Sequence, residues 1–351
     1  MSPWHNEYWA PGKLLLFGEH SAVFGYPAVG TALTRGVRLV ISPARRMTCT
    51  IAGAAADSKS TAHDGLTAFA EFLSDRAPSL PPSHVEIVSD LPIAGGFGSS
   101  AALSTALAQW WIDSETGAVG EGPGDEGARP ETYRNVWRRA HQLETFFHGT
   151  PSGIDTGLAA LGGVQAFRFG PSPGRELPTA TPLLGRLPPL VVGSIPRRRS
   201  TRELVAAVRR RHDENPATAA PVLAALGSLA DQAITHLSDA PVSPAFLGEI
   251  ASVAQEQLSA LGVSSASLER ILRAGIAGGA LGGKLSGAGD GGAFFLVCPD
   301  ADTVGPVHAA VRRELPPGGV AFVVTGVPRE SDVESPAEVD VAQHRSVDQD
   351  Q

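Results

Sequence analysis

The stretch from Val85 to Trp111 constrains this chain more than any other. Val85 to Ser89 (VEIVS) has the β-branched character of a strand, Asp90 to Gly98 is a loop, and Ser99 to Trp111 is an Ala- and Leu-rich helix of the buried kind. Within it, PIAGGFGSSAA (Pro92 to Ala102) sets Gly95, Gly96 and Gly98 directly before Ser99, Ser100 and Ala101. Glycine lets the backbone approach a ligand closely. The free N–H groups of a helix's first turn, and its dipole, favour an anion. Strand, glycine loop and helix in this order therefore mark a candidate phosphate site. A lone glycine loop is weak evidence, because tight turns use the same residues. This one is neither a Walker loop, which would carry Lys after its last Gly, nor a dinucleotide fingerprint with its strict spacing.

A chain of 351 residues suits two compact lobes with a cleft between them. Its formal charge of -8 argues against a nucleic-acid surface, which would need clustered Lys and Arg. The one basic cluster, Arg197 to Arg199 with Arg202 and Arg209 to Arg211, reads most simply as a solvated helix face. Cys49 and Cys298 lie far apart in unlike contexts, so neither a disulfide framework nor a metal spacing can be built from them, and a reducing cytoplasm fits. The N-terminus lacks the pattern of a secretory signal, and no window reads as long enough to cross a bilayer.

Further strands are expected at Leu14 to Phe17, Val37 to Ser42, Gly163 to Phe169, Leu190 to Ser194, Ala293 to Val297 and Val320 to Val324. Helices are expected at Ala62 to Leu73, Tyr133 to Phe147, Ser200 to Arg211, Thr218 to Leu237, Phe246 to Leu261, Ser267 to Ala274 and His308 to Glu314. Residues 113–132 read as a surface insertion, Pro171 to Pro189 as a proline-rich separator, and 328–351 as a disordered acidic tail. The expected lobes are 1–185 and 186–327.

Two more segments sharpen the phosphate site. APGKLLLFGEHSAVFGYPAV brings Lys13, Glu19 and His20 around one short strand, and KLSGAGDGGAFFLV is a second glycine loop, with Gly287 and Ala288, leading into a strand. The three segments in this order resemble the three motifs of the GHMP kinase superfamily. Within it, HGTPSGIDTGLAALGG (His148 to Gly163), PRRRSTRELVAAVRRR (Pro196 to Arg211) and ALGVSSASLERI (Ala260 to Ile271) are similar to the mevalonate kinase family. The resemblance spans roughly residues 9 to 327.

The resemblance implies an α+β, two-lobed GHMP kinase fold: an N-terminal mixed α/β lobe like ribosomal protein S5 domain 2 and a C-terminal ferredoxin-like lobe, with the active site between them. It implies ATP and Mg²⁺ as cofactors, mevalonate as the small-molecule partner and a homodimer; no nucleic acid and no membrane are expected from the charge and the missing bilayer-length window. Pro92, Gly95, Gly96, Gly98, Ser99, Ser100, Ala101, Gly287 and Ala288 would hold the nucleotide. Ser100 and Glu144 would hold Mg²⁺, both offering hard oxygen. Asp155 in SGIDTG matches the catalytic aspartate, and Lys13 in APGK the lysine beside it that stabilises charge on the transferring group. Glu19, His20 and Thr201 would line the substrate side with Lys13 and Asp155. The plain alternatives are a turn or cap for Asp155, an exposed turn lysine for Lys13, a buried structural histidine for His20 and an N-cap for Thr201. One residue departs from the family pattern: GAGDGG replaces the usual GAGGGG. An acid close to phosphates would repel them, so Asp290 is expected to face solvent or a basic partner.

Overall fold

A computed structural model describes residues 7–52, 61–92, 95–117, 130–170, 176–238 and 241–325. Two sheets organise them, each leading into one of the glycine loops. The first holds β1 (Glu7–Phe17), β2 (Ala28–Pro43), β3 (Thr48–Ile51), β4 (Ser83–Ser89), β5 (Val164–Arg168) and β6 (Thr179–Leu183). Its spine is β2, which pairs antiparallel with β1, through Val37–Pro43 with β4, and through Ala28–Thr31 with β5; β3 pairs parallel with β4. The helices of this half are α1 (Thr61–Arg76), α2 (Ser99–Thr116), α3 (Pro130–His148) and α4 (Ile154–Leu161). The second sheet runs β10-β7-β9-β8, all antiparallel, from β7 (Leu190–Ile195), β8 (Gly282–Leu285), β9 (Gly292–Val297) and β10 (Val320–Val324). Around it lie α5 (Thr201–Glu214), α6 (Pro216–Ser238), α7 (Pro244–Ala260), α8 (Ala266–Ala277) and α9 (Ala301–Glu314). The architecture is α+β.

Several expected boundaries move. Helix α2 continues through Thr116 and α3 begins at Pro130, so both ends of the expected insertion at 113–132 are helical; 118–129 and the tail lie outside the described residues. The stretch after Ser152 is a helix, α4, which is not among the expected helices. Its Ile154, Leu158 and Leu161 recur at helical spacing, and Gly157 admits the helix because a Cβ there would lie 2.8 Å from both Trp137 and Phe167. The proline-rich separator contains β6, an edge strand, where Pro182 is tolerated. The first sheet ends at Leu183 and the second begins at Leu190, and on that ground we propose the lobe boundary at 185/186.

Contrary to the reading that no window is long enough, α6 is long and apolar enough, by length and composition, to span a membrane. Its apolar stripe instead packs inward: Leu223, Leu226, Ala230, Ala233 and Leu237 are buried, and Gly227 lets the ring of Tyr26 approach to 2.2 Å of where a Cβ would be.

Candidate active site

Strand β1 carries the first motif and touches both glycine loops. Its register against β2 shifts between Pro11 and Lys13, with Gly12 at the irregularity; a Cβ on Gly12 would lie 2.8 Å from Phe97 O. That close approach lets Lys13 N donate to Phe97 O at 2.8 Å, which ties the strand to the first loop. Two residues further on, Leu15 O accepts from Ser286 Oγ at 2.8 Å, which ties it to the second. The first loop also approaches the strand that leaves the second, since a Cβ on Gly96 would lie 3.3 Å from Ala293 N in β9. Phe97 stacks edge-on against Phe322 of β10, with centroids 5.2 Å apart.

In the first loop, Gly95 N donates to Pro92 O at 3.1 Å, and Gly96 and Gly98 take φ of +87° and +72°. Gly98 is also the residue before α2 and provides no side-chain cap, so the first-turn N–H groups of Ser99, Ser100 and Ala101 keep their capacity for an anion. A Cβ on Gly98 would stand 2.6 Å from Lys13 Cγ; the glycine thus permits both the turn and the passage of the lysine beneath it.

Lys13 Nζ lies 3.1 Å from Asp155 Oδ2. The ammonium is 8% exposed and the carboxylate 40%, so the aspartate opens outward with the cation behind it. Asp155 occupies the first turn of α4, whose preceding residue Gly153 has φ +85° and gives no side-chain cap, so the carboxylate stands at the positive end of that helix. The buried Trp137 Nε1 donates to Gly153 O at 2.9 Å and holds that turn.

Beside this pair, Glu144 is buried in α3. Its Oε1 accepts from Ser100 Oγ at 2.7 Å and its Oε2 from Ser104 Oγ at 2.8 Å, while His148 Nε2 lies 3.3 Å from Oε1 and 3.3 Å from Ser100 Oγ. Burial pushes the Glu144 carboxyl up to about 7, against the two serine hydrogen bonds; the charges of Asp155 and Lys13 also reach it, in opposite senses. Ser104 and His148 were not among the expected residues, although each lies four residues beyond an expected one on the same helix face.

In the second loop, Gly287, Gly289, Asp290, Gly291 and Gly292 all have positive φ. Here the expected substrate-side residues separate. Glu19 does not face an open pocket: its side chain is fully buried, and Oε1 accepts from Nζ of the equally buried Lys284. Burial raises the Glu19 carboxyl and lowers the Lys284 ammonium, each opposed by the other's charge. Lys284 was missed, although it opens the KLSGAGDGG motif. His20, at φ +59°, is buried with Nε2 3.0 Å from Ala288 O; this contact spends one ring nitrogen on the loop, and burial lowers the imidazole's pKa. Nδ1 is left buried without a partner among the described residues. Thr201 is exposed at the start of α5, and its Oγ1 accepts from Arg197 Nη1 at 2.9 Å. The N-cap of α5 is Ser200, which forms a capping box with Glu203, so an N-cap role for Thr201 is set aside. Asp290 does have the basic partner expected of it, for Arg199 Nε donates to its Oδ2 at 3.0 Å.

Residues 65–163 match the GHMP kinases N terminal domain and residues 243–317 the GHMP kinases C terminal domain. The mevalonate kinase of Pyrococcus horikoshii is 32% identical over 320 residues, covering 83% of this chain and 88% of that protein. The chain belongs to the mevalonate kinase family. The mevalonate kinase of Thermococcus sibiricus is 30% identical over 348 residues, covering 92% and 96%. A crystal structure of L. major mevalonate kinase in complex with R-mevalonate superposes with a TM-score of 0.74 at 22% identity, covering 91% of this chain and 96% of that one, and shows the same two-lobed fold. A GHMP kinase of this family is a nucleotide-binding phosphotransferase, and the convergence of both glycine loops on β1 is the feature its chemistry needs.

Proposed function

We propose that the chain transfers the γ-phosphoryl group of ATP to the C5 hydroxyl of (R)-mevalonate, giving ADP and 5-phosphomevalonate for isoprenoid synthesis. The observation that carries this reading is the Lys13–Asp155 pair, 3.1 Å apart and open on the aspartate side, with Lys13 on the strand to which both glycine loops are tied. Phosphoryl transfer asks a protein mainly to position two reactants and offset charge. Asp155 accepts the proton of the attacking hydroxyl, and Lys13 holds that carboxylate in place and offsets charge on the group in flight. The first-turn amides of α2 and the backbone of Gly287 and Ala288 receive the phosphates.

The donor set suits magnesium. Ser100 and Glu144 present hard oxygens within 2.7 Å of each other, the glutamate from a buried position. Among the described residues no three His, Cys, Asp or Glu side chains form a metal cluster, so Mg²⁺ would be held by Ser100 and Glu144 and complete its shell with water and phosphate oxygens. When bound, it would neutralise charge on the polyphosphate.

A phosphorylated acceptor would need extra basic groups in its pocket; the relatives at 30% identity or more carry the name mevalonate kinase, which favours mevalonate as the acceptor. ADP release measured with mevalonate, phosphomevalonate, homoserine and galactose tests the assignment; equal or better turnover of any of the other three refutes it. Cys49 and Cys298 are both free thiols, in keeping with a cytoplasmic enzyme. Family habit points to a homodimer, which sedimentation of the purified chain would test.

A further inference from the structure

The second glycine loop carries an acid, Asp290, among its glycines, and that acid is built into the loop's support. Asp290 has φ +53°, in the left-handed region that aspartate enters more readily than most side chains. Its N–H donates to Val263 O at 2.7 Å, and its carbonyl accepts from Arg198 N at 3.4 Å. The loop is thereby fastened on one side to the α7–α8 connection and on the other to the approach to α5.

The Asp290 side chain is only 12% exposed, and its carboxylate accepts from Arg199 Nε. Among the described residues Arg199 uses Nε alone, with a side chain 44% exposed, so its two amino groups are open to a further anion. Arg197 lies alongside: its Nη2 would be 3.3 Å from a Cβ on Gly96 and 2.3 Å from one on Gly292, so this guanidinium sits between the two loops.

We propose that Arg199 and Asp290 act as one charge-compensated clamp on the phosphate loop, with Arg199 the positioning residue that makes an acid compatible with a polyphosphate. The proposal rests on reading the two glycine loops as the nucleotide's phosphate site. An uncompensated carboxylate there repels a polyanion; the hydrogen bond from Arg199 supplies the direct counter-charge and braces the turn, and the charge of Arg197 reaches the same carboxylate from beside it. Arg199 therefore matters because Asp290 is present, which separates this role from that of an arginine that simply grips phosphate.

The test compares Arg199→Ala with Arg199→Ala/Asp290→Asn. Asparagine keeps the left-handed backbone and removes the charge. Affinity for a non-hydrolysable ATP analogue with Mg²⁺ is read by calorimetry without acceptor, and thermal melts verify that both variants fold. Arg199→Ala is expected to weaken binding by about tenfold, roughly 1.4 kcal/mol, and the added Asp290→Asn to recover most of it. In turnover the loss should fall on KM for ATP rather than on KM for the acceptor, and should shrink as salt is raised. A double variant no tighter than Arg199→Ala, or an Arg199→Ala variant within about threefold of the parent, overturns the clamp. If the parent chain binds the analogue but prefers another alcohol, the acceptor assignment fails and the clamp stands. If the parent does not bind the analogue, both fall.

Discussion

Replacing Lys284 with Met tests whether the ion pair joining the two lobes is a structural necessity. Lys284 is fully buried on β8, and its Nζ donates to Glu19 Oε1 and, at 2.7 Å, to Leu285 O. The rings of Phe17 and Phe295 lie 5.7 and 5.3 Å from the same nitrogen. Methionine fills much of the lysine's volume, so packing is largely kept and the charge is what is lost. Glu19 then stays buried without its ammonium partner: Oε1 loses Lys284, and the backbone N–H groups of Glu19 and Gly287 are what remains to favour the charge. Removing one member of a buried pair costs about 3–5 kcal/mol. At about 2 °C per kcal/mol for a chain of this size, the thermal midpoint should fall by roughly 6–10 °C.

The pH dependence has a definite sign. Glu19 is already raised by burial, and loss of the lysine raises it further. The native state then holds a proton that the unfolded state has released, so stability falls as pH rises through the unfolded carboxylate range. The deficit of Lys284→Met relative to the parent should thus be larger at pH 8 than at pH 5. Glu19→Gln/Lys284→Met removes both charges and should recover a good part of the loss. A midpoint for Lys284→Met within about 2 °C of the parent, or a double variant as unstable as the two single losses summed, refutes the reasoning.

Asp155→Asn should lower kcat by about a hundredfold or more while leaving affinity for the ATP analogue nearly unchanged, and steady-state rates with calorimetry check both halves. Glu144→Gln should raise the Mg²⁺ concentration needed for half-maximal nucleotide binding by about tenfold; an unchanged requirement would remove Glu144 from the metal site. Gly98→Ala forces a Cβ to 2.6 Å from Lys13 Cγ at φ +72°, so it should both destabilise the fold by about 1 kcal/mol or more and depress kcat through Lys13. His20 is held neutral by burial, with its pKa lowered, so the unfolded chain takes up a proton first as pH falls below the usual histidine range of about 6.5. Stability should therefore drop between about pH 7 and pH 5, and His20→Gln should show a shallower drop in the same thermal melts.

Those features that depend on neighbouring residues could be read from the chain alone. The loop from Pro92 to Ala102 was legible because positive φ at Gly96 and Gly98 and an uncapped helix start at Ser99 are local demands with local residue signatures. The strand at Val85, most of the long helices and the second glycine loop could be read for the same reason. Helix α4 was within reach of its own apolar spacing and was hidden by the glycines and proline around it. Strand β6 was not within reach, because a proline-bearing edge segment becomes a strand only when β5 supplies its hydrogen bonds. The resemblance named Lys13, Asp155, Ser100 and Glu144 one at a time. That Lys13 meets Asp155 and Ser100 meets Glu144 is a matter of chain elements folding together, as is the arrival of Ser104 and His148 beside them.

Glu19 shows the limit most sharply. Its motif suggested a substrate contact, yet its partner is Lys284, 265 positions away, and only the packing of one lobe on the other brings the two charges together and takes both out of water. Local sequence determined which segments could bind an anion. Long-range packing decided which side chains stay open to solvent, as Asp155 does, and which are buried in pairs, as Glu19 and Lys284 are, because burial and charge pairing are properties of the folded surroundings and not of the residue.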